Sequence, residues 1–149
     1  MPTTTRPYRV LIVDDEESIV RFADRVLRSG GYETAFAFGA AEALELLTSE
    51  PTFDLLLTDL AMPTMNGDEL ARRFCEHLSD LKVLYFTGFS DRLFAERHTL
   101  RSNEAFLDKP VTATGLLEAV SLLLFGHMRG LQPATRDVPL DPAFRYLDP

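Results

Sequence analysis

The sequence predicts an α/β domain: a doubly wound, five-stranded parallel sheet in strand order 2-1-3-4-5, with helices on both faces. Short apolar runs alternate with amphipathic stretches at helical spacing, which is the pattern of successive β-α units. The runs are nearly continuous in apolar residues rather than alternating, as parallel strands buried on both faces require. The chain has 149 residues, of which 46% are hydrophobic and 26% charged; that is enough for one core and short for two. Crossovers between the strands are expected to be right-handed.

Tyr8 to Val13 is the first strand, β-branched and apolar, ending abruptly at Asp14. Ile19, Phe22, Ala23, Val26 and Leu27 follow at helical spacing, and Gly30-Gly31 stops that helix. Glu33 to Phe38 is a weaker strand, and Ala40 to Leu47 an Ala/Leu-rich helix with Pro51 beyond its end. Phe53 to Thr58 reads as a buried strand ending at Asp59. Met62-Pro63 breaks the pattern, and Asn66-Gly67 opens a helix over Asp68 to His77. Lys82 to Phe86 is the fourth strand, ending at Thr87-Gly88, followed by a less apolar helix over about Arg92 to Thr99. Ala105 to Leu107 is a short fifth strand ending near Lys109-Pro110. Leu116, Leu117, Val120, Leu123 and Leu124 form the last amphipathic helix, closed by Gly126.

The domain is expected over residues 8–126, with a flexible N-terminus over 1–7 and an irregular tail or linker over 127–149. Four of the nine prolines fall in those last 23 residues, with no sustained periodicity. The formal charge of −8 and the lack of a Lys/Arg cluster argue against nucleic acid. No apolar run approaches the ~20 residues that span a bilayer, and no signal peptide is visible, so no membrane is expected and the cytoplasm is. Cys75 is the single cysteine and cannot form an internal disulfide, which suits a reducing compartment. His77, His98 and His127 lie at no strand end, and His77 and His98 read as surface residues.

In open parallel sheets ligands bind beyond the carboxyl ends of the strands. Strand one ends in Asp14-Asp15, strand three in Asp59, strand four in Thr87-Gly88 and strand five in Lys109-Pro110. Singly, each has an ordinary reading: a helix cap, a turn residue, a solvated charge. Together they gather three carboxylates, a hydroxyl and an ammonium on one edge. Two carboxylates about 4 Å apart repel by roughly 4 kcal/mol at an effective dielectric of about 20, so three need a cation. Oxygen ligands without His or Cys point to a hard ion such as Mg²⁺. Three aspartates, one lysine and a divalent cation are formally neutral, a site poised for a dianionic phosphoryl group, and carboxylates do accept phosphoryl groups.

Over about Arg9 to Phe125 the chain resembles the receiver domains of two-component response regulators. The matching residues are Leu11-Ile12-Val13-Asp14-Asp15-Glu16, Leu55-Leu56-Leu57-Thr58-Asp59, Met62-Pro63-Thr64-Met65-Asn66-Gly67, Phe86-Thr87-Gly88 and Phe106-Leu107-Asp108-Lys109-Pro110. The resemblance implies that Asp59 accepts a phosphoryl group from a phosphohistidine of a sensor histidine kinase or phosphotransfer protein. It implies Mg²⁺ bound by Asp15, Asp59 and the Ala61 backbone carbonyl, with Asp14 acting mainly through water. Lys109 and Thr87 would contact phosphoryl oxygens, Gly88 would leave room for the group, and Thr87 and Phe106 would form the switch. Movement of Thr87 would turn Phe106 inward and remodel the face of helix four, strand five and helix five, a two-state equilibrium biased by a new charge. It also implies a cis Lys109-Pro110 bond and no conventional enzyme activity beyond self-phosphorylation and slow self-dephosphorylation. Ala61 offers no polar group to orient an attacking water, and Phe89 would shield the phosphoryl group.

Two other functions set the alternatives. A receiver-like interaction module that is never phosphorylated would usually lose one of the acidic, Thr or Lys positions; all are kept here. An aspartate-nucleophile phosphatase of the haloacid dehalogenase type needs a second Asp two residues after the nucleophile, where this chain has Ala61. A flavodoxin-like phosphate loop is excluded by Asp14-Asp15-Glu16-Glu17, which would repel phosphate. With too few residues after Gly126 for an output domain, the expected roles are a stand-alone receiver, a relay or a receiver cut from a larger chain. The downstream protein is unnamed by the sequence, and a homodimer through the face from helix four to helix five is a further expectation.

Overall fold

The computed structural model describes residues 4–49, 52–88, 101–126 and 135–138. Its central sheet holds five parallel strands: β2 (Arg9–Val13), β3 (Glu33–Ala37), β4 (Leu55–Thr58), β5 (Lys82–Thr87) and β6 (Glu104–Asp108). Their order is β3-β2-β4-β5-β6. An additional strand at the N-terminus shifts the numbering by one, so this is the expected 2-1-3-4-5 topology. The described helices are α1 (Glu17–Ser29), α2 (Ala40–Ser49), α3 (Gly67–His77) and α4 (Ala113–Phe125). The helix expected over Arg92 to Thr99 lies outside the described residues.

Strand alternation divides the core into two layers. Leu11, Val13, Leu56, Val83 and Tyr85 face α2 and α3, meeting Ala40, Ala43, Leu70 and Phe74. Val10, Ile12, Leu55, Leu57, Leu84 and Phe86 face α1 and α4, meeting Val20, Ala23, Leu27, Leu116 and Val120. Both faces of the central strands are buried, which is why their sequences are apolar at every position. Each fully buried Leu or Ile contributes about 1.5–3 kcal/mol from water exclusion.

The helix ends follow local rules. Gly31 (φ 93°) and Gly126 (φ 78°) take left-handed conformations that stop α1 and α4. At the start of α4, Thr112 Oγ1 accepts a hydrogen bond from the Gly115 N–H at 2.9 Å.

The chain ends differ from expectation. Residues 1–7, read as a flexible end, and 127–149, read as an irregular tail, contribute β1 (Thr4–Pro7) and β7 (Thr135–Val138). These pair antiparallel in a separate two-stranded sheet, Thr4 opposite Val138 and Pro7 opposite Thr135. Strands of four residues are too short to show alternation, and each one's partner lies at the other end of the chain. Arg6 fastens the ribbon to the core, donating from Nη1 and Nη2 to the two oxygens of buried Asp54 at 3.1 and 3.3 Å. Asp54 Oδ2 also accepts the Arg9 N–H at 2.8 Å.

Candidate functional site

Parallel register builds the site. Val13 lies opposite Thr58, so the next residues, Asp14 and Asp59, emerge side by side at the carboxyl edge. The Asp59 N–H donates to the Val13 carbonyl at 2.9 Å, and the Asp14 N–H to Ala37 of β3 at 3.3 Å. These bonds fix both backbones before any ligand arrives. On the far side Thr87 lies opposite Asp108, which brings Lys109 to the same edge.

Asp14, Asp15 and Asp59 each place a carboxylate oxygen within 4.8 Å of the others. Asp14 and Asp59 are buried and Asp15 is exposed. Lys109 Nζ stands 2.8 Å from Asp14 Oδ2 and 3.7 Å from Asp59 Oδ2. One ammonium against three carboxylates leaves the cluster negative. Burial pushes the Asp14 carboxyl above its ordinary range; the bonds from Lys109 and the Glu16 N–H oppose this without cancelling it, and Asp15 adds to it. Burial alone would lower Lys109, but its contacts with Asp14, Asp59 and Glu16 outweigh that and hold its ammonium above the usual value. A residual negative charge, partly desolvated and lined by carboxylate oxygen, fits a hard divalent cation.

The other expected site residues fall as follows. Ala61 is half-buried in the loop after β4. Thr87 ends β5 at the site edge, though its side chain lies outside the described residues. At Gly88 an added Cβ would meet no atom within 4 Å, so the backbone there borders open space. Phe106 is half-buried on β6 and packs against the layer beneath α2 and α3. The Lys109-Pro110 bond is cis. Phe89 lies outside the described residues.

Two residues act at the site without having been assigned a role from sequence. Glu16 donates its N–H to Asp14 Oδ1 at 2.9 Å, and its Oε1 stands 3.5 Å from Lys109 Nζ. The acidic run Asp14-Asp15-Glu16 was the available signal. Gly67 is the second. Its N–H bonds the Leu60 carbonyl at 2.8 Å, and a Cβ there would meet the Asp59 carbonyl oxygen at 2.0 Å. Only a residue without a side chain lets α3 start against the Asp59 backbone.

The chain is similar to known proteins across this core. It is 35% identical over 116 residues to the response regulator receiver protein CpdR of Brucella abortus (strain 2308), covering 78% of this chain and 96% of that protein. It is 30% identical over 116 residues to the sensor kinase CckA of the same organism, covering 77% of this chain and 12% of the kinase. Among solved structures, the receiver domain of a hybrid histidine kinase CckA aligns with a TM-score of 0.67 at 31% identity, covering 78% of this chain and 98% of that one. A response regulator receiver protein from Sinorhizobium medicae WSM419 aligns with a TM-score of 0.71 at 26% identity, covering 80% and 95%. The family match itself runs over residues 10–121, from the first core strand into the last helix, and the chain belongs to the response regulator receiver domain family of two-component signalling.

Proposed function

We propose that Asp59 is the phosphoryl acceptor of this receiver. The observation that carries the reading is the buried Asp59 carboxylate, held between Asp14, Asp15 and Lys109 at the carboxyl edge. A carboxylate oxygen of Asp59 forms a bond to phosphorus as the P–N bond of a donor phosphohistidine breaks, its electron pair returning to the imidazole nitrogen. Lys109 neutralises charge on the transferred group, and Asp14 holds Lys109 in place. Thr87 and Gly88 receive the remaining phosphoryl oxygens, and Phe106 reports the change by turning.

Asp14, Asp15, Asp59 and the Ala61 carbonyl would hold Mg²⁺. When bound, the ion offsets the carboxylate repulsion and shields the phosphoryl oxygens. Sensor kinases and response regulators among the relatives support a histidine kinase or phosphotransfer protein as donor. None of the described helices is long and apolar enough to cross a membrane, and the cytoplasm is the proposed location. A downstream protein and a homodimer are further proposed partners. Turnover is limited to self-phosphorylation and slow self-dephosphorylation, because Ala61 orients no water. A phosphoryl half-life of seconds in the purified protein would count against that slow loss.

The test is intact mass after incubation with Mg²⁺ and acetyl phosphate, with Asp59→Ala alongside. One phosphoryl group on the wild type and none on the variant is the expected result. No gain in a folded wild type, together with no Mg²⁺ binding, would favour an unphosphorylated interaction module.

A further inference from the structure

Among the described residues, three large apolar side chains stand exposed, and two of them sit together near the acceptor. Phe36 and Phe38 are 43% and 37% exposed. Their ring centroids are 5.6 Å apart at 60°. The residue between them is Ala37, whose carbonyl accepts the Asp14 N–H, so one backbone hydrogen bond separates the pair from the acidic cluster. β3 is an edge strand of the central sheet, which leaves the flank beside the rings uncovered by any strand of that sheet. Ala35 and Ala37 turn toward α2 and α3, while Thr34 bonds Asp24 of α1 at 2.6 Å. Alternation therefore sets Phe36 on the α1 side.

The surroundings are acidic. Asp15 and Glu16 are exposed just before α1, Glu17 at its start is paired with Arg21, and Glu42 accepts the Phe38 N–H at 2.8 Å. The chemistry assigned above to the carboxylates and Lys109 uses neither ring. Paired aromatic rings in water forgo about 25 cal/mol for each Å² of apolar surface, which a partner covering them would recover.

We propose that Phe36 and Phe38 are the docking contact for a protein phosphodonor, one whose face carries aliphatic side chains among lysines and arginines beside its phosphohistidine. This rests on the phosphoacceptor reading. Asp59 is only 6% exposed, so a donor must bring its histidine down onto the carboxyl edge. The body of a protein donor then covers neighbouring strand ends, and the end of β3 adjoins that of β2. The aromatic pair supplies apolar contact and the acidic rim supplies charge complementarity to a basic flank. A small donor such as acetyl phosphate reaches Asp59 without meeting either ring.

The experiment compares two donors on the full chain: acetyl phosphate, and the purified, autophosphorylated core of a sensor kinase chosen because it phosphorylates the wild type. The paired substitution Phe36→Ser and Phe38→Ser is expected to slow transfer from the kinase about tenfold or more, while labelling by acetyl phosphate stays within about twofold. The paired Leu substitutions at the same positions should restore most kinase transfer. Equal loss with both donors would make the rings supports of the site and overturn the proposal, as would unchanged kinase transfer. Faster kinase transfer in the Ser variant would identify a covering segment of this chain as the occupant and overturn it too. A wild type that accepts from neither donor would sink the phosphoacceptor reading itself, a result distinct from these.

Discussion

At Asp14 burial and ion pairing pull in opposite directions. Asp14 is buried, paired with Lys109, and still has its pKa raised. A carboxyl raised in the folded state favours the folded state less as pH climbs past its ordinary range. The apo protein therefore carries a cost at neutral pH that is absent in acid. Lys109 is shifted up and remains charged throughout this window, so it adds no opposing change there. Mg²⁺ needs ionised ligands, so its stabilisation should be largest near pH 7 and fade toward pH 4, measured as the rise in thermal midpoint with added Mg²⁺. Asp15 is exposed and part of the same cluster. Asp15→Asn should stabilise the metal-free protein by on the order of 1 kcal/mol, after discounting for solvent screening. The same variant should lose most of the Mg²⁺-induced rise in a calorimetric scan.

At the scale of elements, the junction of β4 and α3 sets the position of Asp59. Phe74 is fully buried on α3, and Gly67 lets the first turn of that helix lie against Asp59 and Leu60. Gly67→Ala would force this junction apart. The expected cost is about 1–3 kcal/mol in urea unfolding, with slower labelling by acetyl phosphate. A variant with wild-type stability and labelling would show that the helix can shift freely. Sequence patterns found these elements because their signals are local: apolar runs for the strands, helical spacing for α1 and α4, glycine at the ends. They did not show that Gly67 touches Asp59, because that contact depends on how helix and strand meet.

Across the whole molecule, the ribbon of β1 and β7 joins the two ends of the chain and is tied to the core through Arg6 and Asp54. Asp54 opens the segment that ends at Asp59, so one strand is anchored at its amino end and carries a carboxylate of the acidic cluster just beyond the other. Arg6→Ala removes a charged pair in which Asp54 is buried and the Arg6 side chain is 35% exposed. About 1 kcal/mol of destabilisation is expected, a fall of roughly 2–4 °C in thermal midpoint. Limited proteolysis should also cut the tail sooner. An unchanged midpoint and cleavage rate would mean that the ribbon holds without this anchor.

The sequence by itself determined the layered α/β architecture, the strand order and the set of residues at the carboxyl edge. Burial on both faces makes the strands legible as apolar runs, and polar residues stand out where those runs stop. Only the tertiary structure decided what these residues do to one another. The Asp14–Lys109 pair, the part taken by Glu16 and the exposed rings of Phe36 and Phe38 each depend on register between distant strands. The ribbon was illegible for a related reason: its two short strands carry no local pattern, and their pairing exists only once the folded core brings the chain ends together.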